Sequence, residues 1–140
     1  MTIDKIPLSE WKSKYMQNMY LESFGGERND LIEKCDFVLI ARNENIQPVA
    51  FITCHEMDTE TIYWQFGGAC DNIKKSIRVM SHYVHFLVWC MARYKRVTTR
   101  IENTNTAMLK MAIHCGFVVY GIWNFKNKIY LELCYEAGGA

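Results

Sequence analysis

Three groups of residues in this 140-residue chain have the types and spacing to handle a charged or extended ligand. Lys74, Lys75 and Arg78, with Ser76 and Ile77 among them, gather where a helical period begins. Lysine at the positive end of a helix is mildly unfavourable, so an anion there would meet both side-chain charge and the helix end. Ser76 is small enough for close approach and can donate a hydrogen bond. Upstream, Phe66-Gly67-Gly68 closes an apolar run. Glycines let a backbone approach a ligand and tolerate a bulge. Downstream, Asn105 precedes a second helical run; asparagine punctuates such passages, and its amide can pair with an extended ligand backbone. Each group has a plainer alternative: a solvated helix face, an ordinary turn, and a merely capped helix.

Metal and disulfide chemistry find no support. Six cysteines, at 35, 54, 70, 90, 115 and 134, form no Cys-x-x-Cys pair and lack zinc spacing. Most lie in apolar runs such as Phe86-Leu87-Val88-Trp89-Cys90-Met91, which suits reduced core thiols. Cys70, beside a glycine pair and Asp71, is the one to check for reactivity. The formal net charge is +1, whereas phosphate-backbone binding needs a basic excess or face. No run reaches the about 20 apolar residues of a membrane span, and residues 1–10 hold no signal-peptide core. The expectation is a single domain over residues 1–136 with a flexible tail at 137–140, cytoplasmic, with no membrane or nucleic-acid partner. Half the residues are apolar, enough for one core.

The elements that must position these groups follow from periodicity. Thr2 to Pro7 reads as a strand, and Ser9 as the N-cap of a helix running to about Phe24. Gly25-Gly26 ends it, and a short helix fits 29–34. Apolar runs at 37–41, 49–54 and 61–66, divided by Asn43-Glu44-Asn45 and Met57-Asp58-Thr59, predict an antiparallel three-strand meander broken by Gly67-Gly68. Ile77, Met80, Val84, Leu87, Val88 and Met91 then mark one face of a helix over about 75–93. Val97, Thr99 and Ile101 alternate as a strand, a helix spans about 106–114, and 117–123 with 129–135 close as a hairpin. Strand, helix, strand in the middle implies a right-handed crossover between parallel neighbours. The fold class is a mixed α/β sheet in the order β-α-α-β-β-β-α-β-α-β-β.

That order resembles the GNAT superfamily of acyl-CoA-dependent N-acyltransferases, in which two central parallel strands splay apart. The best local match runs from Asn105 through a short helix to Gly116-Phe117, with Gly121 following. The family's diphosphate loop aligns with 72–78, but the chain reads Asn72-Ile-Lys-Lys-Ser-Ile-Arg78 without the usual glycines. The resemblance therefore implies a diphosphate held more by Lys74, Lys75 and Arg78 than by backbone, with Ser76 and Ile77 beside it. It implies the thioester carbonyl at Phe66, Gly67 and Gly68, and the pantetheine arm on Asn105. It implies a carboxylate base near Glu60, with His55 and Glu56 as rivals. The acid that many relatives carry as tyrosine falls on Ala112, leaving Tyr63 or Tyr120 to substitute. Glu102 reads as a loop charge.

The implied activity is acetyl transfer from acetyl-CoA, as co-substrate without a metal, to a primary amine of a small molecule or protein. An aromatic hairpin over 120–135 would permit a homodimer. The alternative is a GNAT-fold protein without catalysis, a binding or structural subunit, of a kind also found in bacteriophages.

Overall fold

The computed structural model describes residues 1–16, 18–19, 34–69 and 78–136, with the backbone alone at 78–80. Strand β1 (Thr2–Pro7) passes directly into a helical segment α1, Leu8–Glu10 followed by a wider π-helical turn over Trp11–Tyr15. Pro7, not Ser9, is its N-cap, and no side chain caps it. Proline ends β1 without losing a ladder donor and cannot itself cap through a side chain. The expected continuation of this helix to 24, its glycine stop and the short helix at 29–34 lie outside the described residues.

The meander is β2 (Phe37–Arg42), β3 (Pro48–Glu56) and β4 (Thr61–Ala69). Asn43 builds the first turn by accepting from the backbone N–H of Asn45 and Gln47 at 2.9 and 3.0 Å. Asp58 builds the second, accepting from Glu60 N–H at 2.8 Å. One expectation fails here: Gly67-Gly68 do not break the meander. They pair with Ile52 and Phe51, and β4 continues to Ala69. Glycine weakens a strand but does not end one whose neighbour still offers a ladder.

Helix α2 (Arg78–Met91) carries the chain to β5 (Arg96–Glu102), parallel to β4. Its buried face is rotated from the expected one. Tyr83, Phe86, Leu87 and Cys90 are buried, whereas Val84 and Val88 are exposed. Burial gain scales with apolar area at about 25 cal/mol per Å², so Tyr83 and Phe86 outweigh two valines. Helix α3 (Thr106–His114) follows, then β6 (Val118–Phe125) and β7 (Lys128–Glu136), turned by Lys126 and Asn127 at positive φ.

The seven strands among the described residues form one sheet in the order β1-β2-β3-β4-β5-β7-β6. One face packs under α2 and α3, with Ile52, Trp64, Phe86, Val97 and Leu133 at its centre. The other face carries a smaller core around Trp11, Val38, Ile40 and Phe51; the Trp11 and Phe51 rings lie 4.8 Å apart. Cys35, Cys54 and Cys90 are buried, and Cys115 and Cys134 are half-buried. Cys70 lies outside the described residues, as does the tail at 137–140. No described helix is long and apolar enough to cross a membrane.

Candidate functional site

The site begins where two parallel strands part. β4 and β5 pair only from Thr61↔Arg96 to Trp64↔Thr99. Beyond that point β4 stays with β3, and β5 stays with β7 through Arg100↔Glu132 and Glu102↔Tyr130. Side chains fix the point from which the strands part. Thr99 Oγ1 donates to the Trp64 carbonyl at 3.0 Å, taking an acceptor the departing strand no longer pairs. On the other side of β4, away from the fork, Thr53 Oγ1 of β3 accepts from Phe66 N–H at 3.0 Å. Between these anchors β4 carries a bulge: Cys54 pairs with Trp64 and Thr53 with Phe66, so Gln65 is the extra residue. Bulges bend a strand and re-aim its side chains.

The gap opens at the carboxyl ends of both strands, where ligands of open α/β sheets bind. It holds a cavity of about 240 Å³. Gln65, Phe66 and Gly67 form one wall, Thr99 and Glu102 the other, and Asn105 and Tyr83 close it. Asn105 caps α3 by accepting from Met108 N–H at 3.3 Å. A Cβ at Gly67 would lie 2.7 Å from Tyr83 Oη, so the glycine is what lets the phenol reach the slot. Burial pushes the Tyr83 pKa well up, leaving a neutral hydroxyl.

The expected site residues thus divide. Phe66, Gly67 and Asn105 line one cavity, and Gly68 continues the wall strand one step beyond. Lys74, Lys75, Ser76 and Ile77 lie outside the described residues, and Arg78 opens α2. Glu60 is not in the slot. It precedes β4, at the end opposite the opening, and ion-pairs with Lys95 and Arg96 at 3.2 and 3.7 Å. Its carbonyl also receives the N–H groups of both residues, at 2.8 and 2.9 Å, latching β5 beside β4. The expected base thus stands outside the cavity, at the closed end of the β4–β5 ladder. Glu56 turns to the Tyr94 hydroxyl. His55 Nε2 sits 2.9 Å from Gln65 Oε1, behind the bulge.

Tyr63 and Tyr120 meet in a second cavity of about 110 Å³, with Arg100 and Glu132. It shares Thr99 and Arg100 with the slot. Glu102, expected to be a loop charge, lines the slot instead. Gln65, Tyr83, Arg100 and Glu132 carried no local signal, because each depends on register or on helix phase. Ala112 is buried beneath the slot beside Tyr83 and Trp64 and carries no transferable proton. Among the described residues no cluster of histidine, cysteine or carboxylate side chains could hold a metal.

No protein-family model matches this chain, and no curated protein does either. Solved structures do. A GNAT family acetyltransferase from Elizabethkingia anophelis with acetyl-CoA bound superposes with a TM-score of 0.76 at 14% identity, covering 97% of each chain. An IAA acetyltransferase from Bacillus cereus gives 0.74 at 12%, covering 97% of this chain and 99% of that one. A chimera of Vibrio cholerae spermidine N-acetyltransferase SpeG and hSSAT gives 0.75 at 8%, covering 97% and 96%. With its order of elements, its forked parallel pair and these superpositions over nearly the whole chain, this protein has the fold of the GNAT acetyltransferases.

Proposed function

We propose that this chain is an N-acetyltransferase that moves an acetyl group from acetyl-CoA to a primary amine of a small molecule or protein, in the cytoplasm. The observation that carries the reading is the separation of β4 from β5 after Trp64 and Thr99, with a cavity of about 240 Å³ at the fork. That volume suits a thioester head and the start of its arm. The walls fit such a guest: a side-chain-free glycine, a bulged backbone and a capping asparagine admit a slender extended chain.

Acetyl-CoA, when bound, supplies a thioester whose C–S bond breaks as the acetyl carbon bonds to the amine nitrogen. The chain's residues have three tasks. Lys74, Lys75, Ser76, Ile77 and Arg78 would receive the diphosphate, and Asn105 the arm. The β4 backbone around Gln65, Phe66, Gly67 and Gly68 would face the carbonyl oxygen, where N–H donors stabilise growing negative charge. Proton movement falls to groups on the cavity walls. An ammonium nitrogen gives up two protons in all; one ends on the departing sulfur and one in solvent. Tyr83, a neutral phenol against Gly67, lines the slot where Ala112 offers nothing, whereas Tyr63 lies in the neighbouring cavity, so Tyr83 is the phenol placed to face the sulfur. Glu102 and Glu132 replace Glu60 as the carboxylates within reach of the acceptor side.

The outer edge of β6 would pair with a second copy. Val118, Val119, Tyr120, Ile122 and Phe125 are exposed there, and no charge interrupts the strand. Edge strands normally carry such charges against association.

Thiol release from acetyl-CoA in the presence of primary amines tests the function. Amine-dependent release supports it. Release no faster than spontaneous hydrolysis across a broad amine panel favours the non-catalytic alternative that Ala112 invites.

A further inference from the structure

We propose that the second cavity is an acceptor site for a small zwitterion: an α-amino acid whose carboxylate meets Arg100 and whose amino group meets Glu132. This rests on the acetyltransferase reading above and names its substrate class.

The position suits an acceptor. The cavity of about 110 Å³ lies beside the slot, and Thr99 and Arg100 line both. A nucleophile held there approaches the fork without crossing the helix-covered face, since Tyr63 and Arg100 alternate with the core residues Ile62, Trp64 and Ile101.

The charge pattern selects the guest. Arg100 Nε and Glu132 Oε2 stand 3.6 Å apart, too far for a hydrogen bond. The two neutralise each other in charge, and with only Tyr120 on Glu132 Oε2 and Tyr63 beside Arg100, the five-donor guanidinium and the two-oxygen carboxylate keep capacity for a guest. Their separation is of the same order as that of an amino and a carboxyl group sharing one carbon. A simple cation placed there meets the guanidinium, and a simple anion meets the carboxylate. Only a guest with both signs adds favourable contacts to each without opposing either. The guanidinium is held between rings: its Cζ lies 4.1 Å from the centre of the Trp123 ring and 5.8 Å from that of Tyr63. Rings engage its plane, whereas a carboxylate binds its N–H edge.

The backbone is shaped for this arrangement. β6 carries a bulge between Val119 and Gly121, so Tyr120 is the extra residue. Its hydroxyl lies 3.3 Å from Glu132 Oε2. Gly121 pairs with Glu132, and a Cβ there would come within 3.4 Å of Glu132 Oε1. The bulge at Gln65 thus lines the slot, and that at Tyr120 lines the second cavity. Its volume limits the side chain to a small one. The transfer keeps the balance given above: the α-nitrogen bonds the acetyl carbon, the C–S bond breaks, and one proton reaches solvent.

The test compares small L-amino acids with their amides, their decarboxylated amines and spermidine, by thiol release from acetyl-CoA. A parallel calorimetric titration with acetyl-CoA alone accompanies it. The expected result is a kcat/KM for free amino acids at least about tenfold above the amides and decarboxylated amines. Arg100→Gln should collapse that preference, with a larger loss for the amino acid than for its decarboxylated amine. Far-ultraviolet circular dichroism checks that the variant folds. Preference for amides or spermidine, an equal loss on all acceptors in Arg100→Gln, or turnover of none of them would overturn the proposal while acetyl-CoA still binds. Absence of acetyl-CoA binding would instead remove the acetyltransferase reading beneath it.

Discussion

Thr99 Oγ1 donates to the Trp64 carbonyl at 3.0 Å, at the last rung shared by β4 and β5. A single hydroxyl thus stands in for the ladder bond that the departing strand gives up. Thr99→Val keeps the shape and removes the donor, leaving a part-buried carbonyl without that partner. Such a loss costs about 1–3 kcal/mol. We expect a fall in that range by urea denaturation and weaker acetyl-CoA binding. Unchanged stability would show that the fork does not depend on this bond.

Gly67→Ala would drive a methyl to 2.7 Å from Tyr83 Oη and 3.3 Å from Ile52 Cγ1. Overpacking of this kind costs about 1–3 kcal/mol. Tyr83→Phe removes the nearer atom, so the double variant should be less destabilised than the sum of the singles. A double-mutant cycle measures this; strict additivity would contradict the contact.

Glu60→Gln should leave acetyl transfer largely intact. Its carboxylate is about half exposed and pairs at the closed end of the β4–β5 ladder, so its ion pairs contribute about 0–1 kcal/mol. A loss of rate above about a hundredfold would restore it as a base.

Alkaline pH should destabilise the protein. Burial pushes the Cys90 thiol from its ordinary 9.0 up to about 12, and Cys54 is also raised. The folded state therefore holds protons that the unfolded chain releases above about pH 9, so stability falls as pH rises from there towards 12. It is fully present below that window. Cys90→Ala should flatten this alkaline limb, even though its baseline stability is lower; an identical slope would show that Cys90 does not titrate with unfolding.

Much of the scaffold was legible in residue patterns, and the site only partly. The meander showed in apolar runs at 37–41, 49–54 and 61–66 because Asn43 and Asp58 make turns by local hydrogen bonds. The passage from Asn105 to Gly116 was legible for the same reason: the cap and the positive φ of 105° at Gly116 are local. Register is not local. Nothing near Arg100 announces that Glu132 will face it, because their meeting depends on β7 entering between β5 and β6. The bulges at Gln65 and Tyr120 arise from cross-strand pairing in the same way. The place of Glu60 was not legible either, because distance along the chain does not say which end of a parallel pair opens.

Charge on the outer edge of β6 should prevent self-association. Ile122 is 66% exposed, so Ile122→Lys has little folding cost. Light scattering should report a dimer for the parent chain and a monomer for the variant. A monomeric parent at micromolar concentration would reject the edge pairing.

Calorimetric titration with acetyl-CoA addresses the fork as a cofactor slot most directly. Saturable one-to-one binding in the micromolar range is expected, weakened at least about tenfold by Lys75→Glu combined with Arg78→Glu. No heat at millimolar acetyl-CoA, in a protein shown to be folded, would contradict it.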